Sequence, residues 1–134
     1  MRFSAIADDS KSVEALTTAI SSAAKYSKQG VVSVKILPDS LSFVCATGVR
    51  DGFFMEIRME QQEVFSAFHM EGLAPDNNAI VFEMDLTQLM QAMTIKEEAT
   101  KWKLVKRNNL PHLAIEMRVN AILKYIPVMI HCER

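Results

Sequence analysis

Apolar residues fall on every second position over several stretches of this chain, and in two others the repeat lengthens to three or four. The first kind of pattern predicts half-buried strands, the second amphipathic helices. Arg2, Ser4 and Ile6 alternate with Phe3, Ala5 and Ala7, giving a short first strand. Asp8, Asp9 and Ser10 then offer capping oxygens, and the acids suit the positive end of a helix dipole. From residue 10 to about 28, Val13, Leu16, Ile20, Ala23 and Ala24 recur at helical spacing, with Lys11, Thr18, Ser21, Ser22 and Lys25 opposite. Gln29 and Gly30 stop that helix as a C-cap.

Alternation resumes in Val32, Val34 and Ile36, turns at Pro38, Asp39 and Ser40, and returns through Leu41, Phe43 and Cys45 as a hairpin. After a turn between Gly48 and Gly52, Phe53, Met55, Ile57 and Met59 oppose Phe54, Glu56, Arg58 and Glu60. Residues 62–68 read as a short helical crossover, closed by Gly72 and Pro75, before Ile80, Phe82 and Met84 form the next strand. Asp85 or Thr87 caps a second helix with Leu86, Leu89, Met90 and Met93 on one face and Gln88 and Gln91 on the other. Trp102 and Leu104 begin a second hairpin, which turns at residues 107–111 and returns through Leu113, Ile115, Met117 and Val119. Ile122, Lys124, Ile126, Val128 and Ile130 form one face of a last strand, and Pro127 within it predicts a position at a sheet edge.

The predicted fold class is therefore α+β, a single domain over residues 1–134. Two β-α-β-β-β halves, about 1–60 and 79–131, are joined by the crossover 61–78. Both long helices interrupt antiparallel strands, so they pack on one side of a continuous curved sheet.

Composition narrows the class without naming a chemistry. A chain of 134 residues, 49% hydrophobic and 23% charged, has a globular balance and buries roughly two-thirds of its unfolded surface. No stretch approaches the roughly 18 apolar residues of a membrane helix, and the start lacks the apolar run of a signal peptide, so neither membrane nor secretion is expected. Cys45 and Cys132 match no metal or redox spacing and fit a reducing compartment. With a net charge of -1, any nucleic-acid contact rests on local placement of basic residues.

Phosphate-binding, zinc-hydrolase and serine-hydrolase motifs are all missing from the sequence, and four scattered glycines cannot cradle a phosphate. His69, His112 and His131 lie in different elements without ligand spacing, so no metal, cofactor or small-molecule substrate is expected. An enzyme using Cys45 or Glu71 is the catalytic alternative, disfavoured because Cys45 sits on the apolar side of its strand. Lys101, Lys103, Lys106 and Arg107 around Trp102 fit a hairpin with one charged face better than a nucleic-acid platform. Lys25 and Lys28, at the C-terminal end of the first helix, complement its dipole and also suit phosphate contact.

The order of elements resembles one domain of a PCNA-like sliding clamp. Phe65, Phe68, Met70, Glu71 and Gly72, followed by Asn77, Asn78 and Ile80, are similar to the Hus subunit family of the heterotrimeric checkpoint clamp, the nine-one-one complex. Met1, Arg2 and Phe3, Ala24 with Lys25 and Lys28, Pro38, Asp39, Leu41 and Phe43, Leu110 and Pro111, and Ile126, Pro127 and Val128 extend the likeness along the chain. The resemblance implies a non-catalytic, nuclear subunit acting in DNA-damage checkpoint signalling and DNA repair, although the chain has no clear nuclear localisation signal. Its partners would be two related clamp subunits, a clamp loader and double-stranded DNA bound without regard to sequence. Lys11, Lys25, Lys28 and Lys96 become candidates for DNA contact. Ile122, Lys124, Ile126, Val128 and Ile130 become candidates for the joint between subunits.

The chain departs from that family in two places. The wet face of its second helix offers Gln88 and Gln91 with only Lys96 just beyond, and the polar insertion before Ile126 is shortened to about residues 120–125. Clamp subunits also carry two such domains, so this chain is expected to be either the first half of one or a single-domain relative that oligomerises to close a ring. The alternatives are a homo-oligomeric replication processivity clamp and a peptide-binding adaptor that adds a strand to a sheet edge.

Overall fold

A computed structural model describes residues 1–27, 30–46, 54–93, 99–118 and 121–131. In chain order the elements are β1 (Arg2–Ala7), α1 (Ser10–Tyr26), β2 (Val31–Leu37), β3 (Ser40–Ala46), β4 (Phe54–Glu60), α2 (Gln61–Val64), β5 (Ala67–Glu71), β6 (Ile80–Asp85), α3 (Leu86–Ala92), β7 (Thr100–Arg107), β8 (Leu110–Met117) and β9 (Ile122–His131). The class is α+β, and among the described residues the phase of the predicted alternations holds; Phe53 and Val119 lie outside them. Phe3, Ala5 and Ala7, Val32, Val34 and Ile36, Leu41, Phe43 and Cys45, and Ile80, Phe82 and Met84 all point into one core.

The strands form a nine-stranded sheet in the order β4-β3-β2-β6-β9-β8-β7-β1-β5, with every pairing antiparallel. Neighbours in this order are not neighbours in sequence. β1 pairs with β7, setting Ala5 opposite Trp102, and β6 pairs with β2, setting Phe82 opposite Val34. Each three-stranded meander is thus completed by the first strand of the other half.

The sheet is strongly bent. β3 and β7 stand five places apart in the order, roughly 24 Å if the sheet were flat. Yet the rings of Phe43 and Trp102 meet edge-on with centroids 6.4 Å apart. Their apolar faces therefore close on each other, and the pair adds about 1 kcal/mol beyond the area it buries.

Two predictions are corrected. Residues 62–68 are not helical throughout: the helix ends at Val64, and Ala67–Glu71 is an edge strand pairing with β1 from Arg2 opposite Glu71 to Ile6 opposite Ala67. Phe68 still contributes to packing, with its ring 5.7 Å from that of Phe3 and 5.4 Å from that of Phe65. Nor does Pro127 mark an edge strand, because β9 is the fifth of nine. Its residues 122–127 pair with β8 and its residues 128–131 with β6, so the proline, which has no N–H, stands where the strand changes partners. Among the described residues, the first half of β9 is paired on one flank only.

Two glycines are fixed by different constraints. Gly30 has φ +72°, in the left-handed region, and its carbonyl accepts a 2.8 Å bond from Leu86 N–H. Gly72 donates to Asn78 Oδ1 at 2.8 Å, and a Cβ there would lie 2.5 Å from Ala79 N. The clash is with backbone, which has no rotamer to yield. Gly72→Ala is therefore expected to destabilise the protein by about 1–3 kcal/mol, and Gly30→Ala by about 1–2 kcal/mol, in urea unfolding followed by circular dichroism.

Candidate nucleic-acid interface

The helices share one face of the bent sheet, and their positions follow from local capping. Asp9 accepts a 2.8 Å bond from Ser12 N–H at the start of α1, and Asp85 accepts one of 2.9 Å from Gln88 N–H at the start of α3. These bonds satisfy donors that have no partner within the helix. α1 does not end on a glycine cap: Ser27, in extended conformation, donates its N–H to Ala23 O, and its hydroxyl bonds Val31 O at 3.0 Å. The loop after α1 thus ties into β2, and Gly30 ties β2 to the first residue of α3.

Val13, Leu16, Ala19, Ile20 and Ala23 of α1 and Leu86, Leu89 and Ala92 of α3 are buried, and the two helices pack against each other. Met90, placed on the apolar face by sequence spacing, instead faces outward at 36% exposure. Ala92 takes the inward position.

The wet surface of this face is polar and sparsely charged. On α1, Lys11, Thr18 and Lys25 recur at heptad spacing along one exposed stripe, so the two lysines stand about 21 Å apart along the axis, with Glu14 and Ser21 beside them. On α3 the exposed residues are Thr87, Gln88, Met90 and Gln91, none of them charged. Thr17 turns its hydroxyl back onto Val13 O at 2.9 Å. Of the four lysines expected to touch DNA, Lys11 and Lys25 lie together on this stripe, while Lys28 and Lys96 fall outside the described residues.

The five candidates for a joint divide differently. Ile126 and Val128 are 3% and 9% exposed and belong to the core, and Ile122 and Ile130 pack against it. Lys124 reaches the C-terminal end of α3, where its Nζ donates to Gln91 O at 3.3 Å and complements the helix's negative end. It thereby adds a cation beside α3 that no spacing in the sequence announced. Its position depends on β9 passing α3 in three dimensions.

The catalytic alternative finds no support in the geometry. Cys45 is 2% exposed, its Sγ lies 3.6 Å from Ala23 O, and burial pushes its thiol up from the ordinary value. Glu71 is exposed on an edge strand. His112 Nδ1 lies 2.9 Å from Leu110 O and His131 Nε2 lies 2.9 Å from Glu83 Oε2, and among the described residues no cluster could hold a metal ion. Trp102, 1% exposed, offers no platform to a nucleic acid.

The chain matches the family described as Hus1-like protein over residues 1–133. It belongs to that family, one of PCNA-like clamps. It is also 26% identical over 133 residues to the human protein named checkpoint protein HUS1, covering 98% of this chain and 47% of the human one. The chain therefore spans about half the length of that relative. The resemblance to that family rests first on Phe65, Phe68, Met70, Glu71, Gly72, Asn77, Asn78 and Ile80, and for Gly72 and Asn78 the fold supplies a physical reason. The amide of Asn78 and the missing Cβ of Gly72 close the loop between β5 and β6.

Two outcomes are expected here. The bond from Ser12 N–H, first among its causes, holds the Asp9 carboxyl below its ordinary value. Its contribution to stability is thus present above the unfolded pKa of about 3.9 and lost as pH falls through the lower folded value. Asp9→Asn should flatten that acid limb in thermal melts taken as a function of pH. In a Cys132→Ser background, Cys45 should resist maleimide in the folded protein and react once urea unfolds it.

Proposed function

We propose that this chain is a non-catalytic clamp domain, part of a ring that encircles duplex DNA in DNA-damage checkpoint signalling and repair. Membership of the Hus1-like family carries this reading. The helix pair on one face of a bent antiparallel sheet suits it, since such a face can line a channel while the sheet forms the outer rim. We take the chain as one domain of a two-domain nuclear subunit that joins two related clamp subunits, is placed on DNA by a clamp loader, and offers a platform to other proteins.

Its DNA contact is weak and blind to sequence. Lys11 and Lys25 meet phosphates from the stripe on α1, and Lys28 and Lys96, outside the described residues, are further candidates for that contact by sequence alone. The hydroxyl and amide side chains around them add no charge. A ring held by topology needs no more. The joint with a neighbouring subunit runs along residues 122–127 of β9, whose free flank accepts an antiparallel strand through main-chain hydrogen bonds. Because Ile126 and Val128 are turned into the core, the backbone of this strand supplies that contact.

Co-expression with two related clamp subunits tests the assembly: an equimolar complex is expected, whereas a closed ring of this chain alone in light scattering would favour a homo-oligomeric clamp. For the DNA face, Lys11→Glu combined with Lys25→Glu should flatten the slope of log affinity against log salt by about 2 and reduce retention of the assembled ring on circular DNA. An unchanged slope would remove both lysines from the interface.

A further inference from the structure

The sheet's outer face, away from the helices, carries a groove that neither DNA contact nor strand pairing uses. Ala114 of β8 forms its floor. By register Ala114 lies between Lys103 and Tyr125 on the outward side, yet it is only 7% exposed and takes no part in the hydrophobic core. Leu123 and Tyr125 of β9, 49% and 37% exposed, wall one side, and Val105 of β7 contributes to the other. The space is half open to solvent and holds about 190 Å³, suited to one apolar side chain.

The rim is basic and uncommitted. Lys101 and Lys103 line the groove from β7, and among the described residues neither forms an ion pair, although Glu116 stands directly across the ladder from Lys101. Arg107 brings a third cation, its guanidinium carbon 4.0 Å from the centre of the Tyr125 ring. On the far half of the sheet the charged residues of the outward side and its turn are mostly acidic, with Asp39, Glu56, Glu60, Glu83 and Asp85 against Lys35 and Arg58. Positive charge on the outer face is thus gathered around this groove.

We propose that the groove docks a short extended peptide of a partner protein, one apolar side chain seated over Ala114 and acidic residues flanking it. Charge complementarity selects the occupant: carboxylates on either side of the apolar anchor meet Lys101 and Lys103. A nucleic acid fits less well, because Arg107 already covers the Tyr125 ring that a base would stack on. Docking uses outward side chains of β9, whereas a subunit joint uses its main-chain edge. The proposal therefore stands apart from ring assembly.

A fluorescein-labelled peptide with the order Glu-Asp-Asp-Leu-Phe-Asp-Glu, titrated into the full chain at low salt and followed by anisotropy, tests this. Saturable binding is expected, weakened about tenfold by Lys103→Glu and by Leu123→Ser, two exposed positions whose replacement should leave the melting curve in place. Lys11→Glu with Lys25→Glu should leave peptide binding intact whatever it does to DNA. No saturable binding, affinity in both groove variants unchanged from that of the unsubstituted chain, or displacement of the peptide by oligothymidylate would each overturn the proposal, the last in favour of a nucleic-acid surface.

Discussion

The contact between Phe43 and Trp102 is the constraint on which the fold turns. These rings come from strands five places apart, and they touch because the sheet bends until its two halves face each other. That bend is held by the exchange of β1 and β6 between the meanders, which makes neither half a self-sufficient layer. Trp102 is buried, and among the described residues its indole Nε1 has no hydrogen-bond partner. The cost of that donor is offset by the packing of the ring at the centre of the core. Because so many of the contacts are distant in sequence, the chain should fold as one cooperative unit.

The same bend decides what the protein presents to its surroundings. Its helices are carried on one face, where capping by Asp9 and Asp85 and the bond from Leu86 N–H to Gly30 O fix their ends. The wet side of those helices is rich in hydroxyl and amide groups and poor in charge, apart from Lys11, Lys25 and Glu14. A surface of this kind grips a polyanion weakly, in keeping with the encirclement of DNA proposed above. The opposite face separates its charges, basic beside the groove over Ala114 and acidic towards β4. The two faces are thereby suited to different partners.

Local pattern made much of this legible. The alternation in β2, β3, β4, β7 and β8 gave the inward and outward residues correctly, since side-chain direction in a strand is fixed by a period of two. Lys11 and Lys25 could be assigned to a wet helical stripe for the equivalent reason. β5 was missed because Phe65 and Phe68 are spaced like one turn of a helix, while pairing with β1 outweighs that local preference. Met90 was misplaced because a helix of seven residues is too short for its spacing to define a face.

By itself, then, the sequence determined the strands other than β5, the two capped helices, their N-terminal caps and most of the residues available to the core, all consequences of short-range periodicity and side-chain chemistry. Only the tertiary structure decided which strands are neighbours. Pro127 bars a ladder bond wherever it occurs, but whether that makes β9 an edge depends on its flanks, and here it bridges β8 and β6 while leaving half of one side open. The placement of Lys124 against α3 and of Ala114 beneath Tyr125 likewise arises between elements remote in the chain. Periodicity fixes which way a side chain points, and only the packed fold decides what it meets.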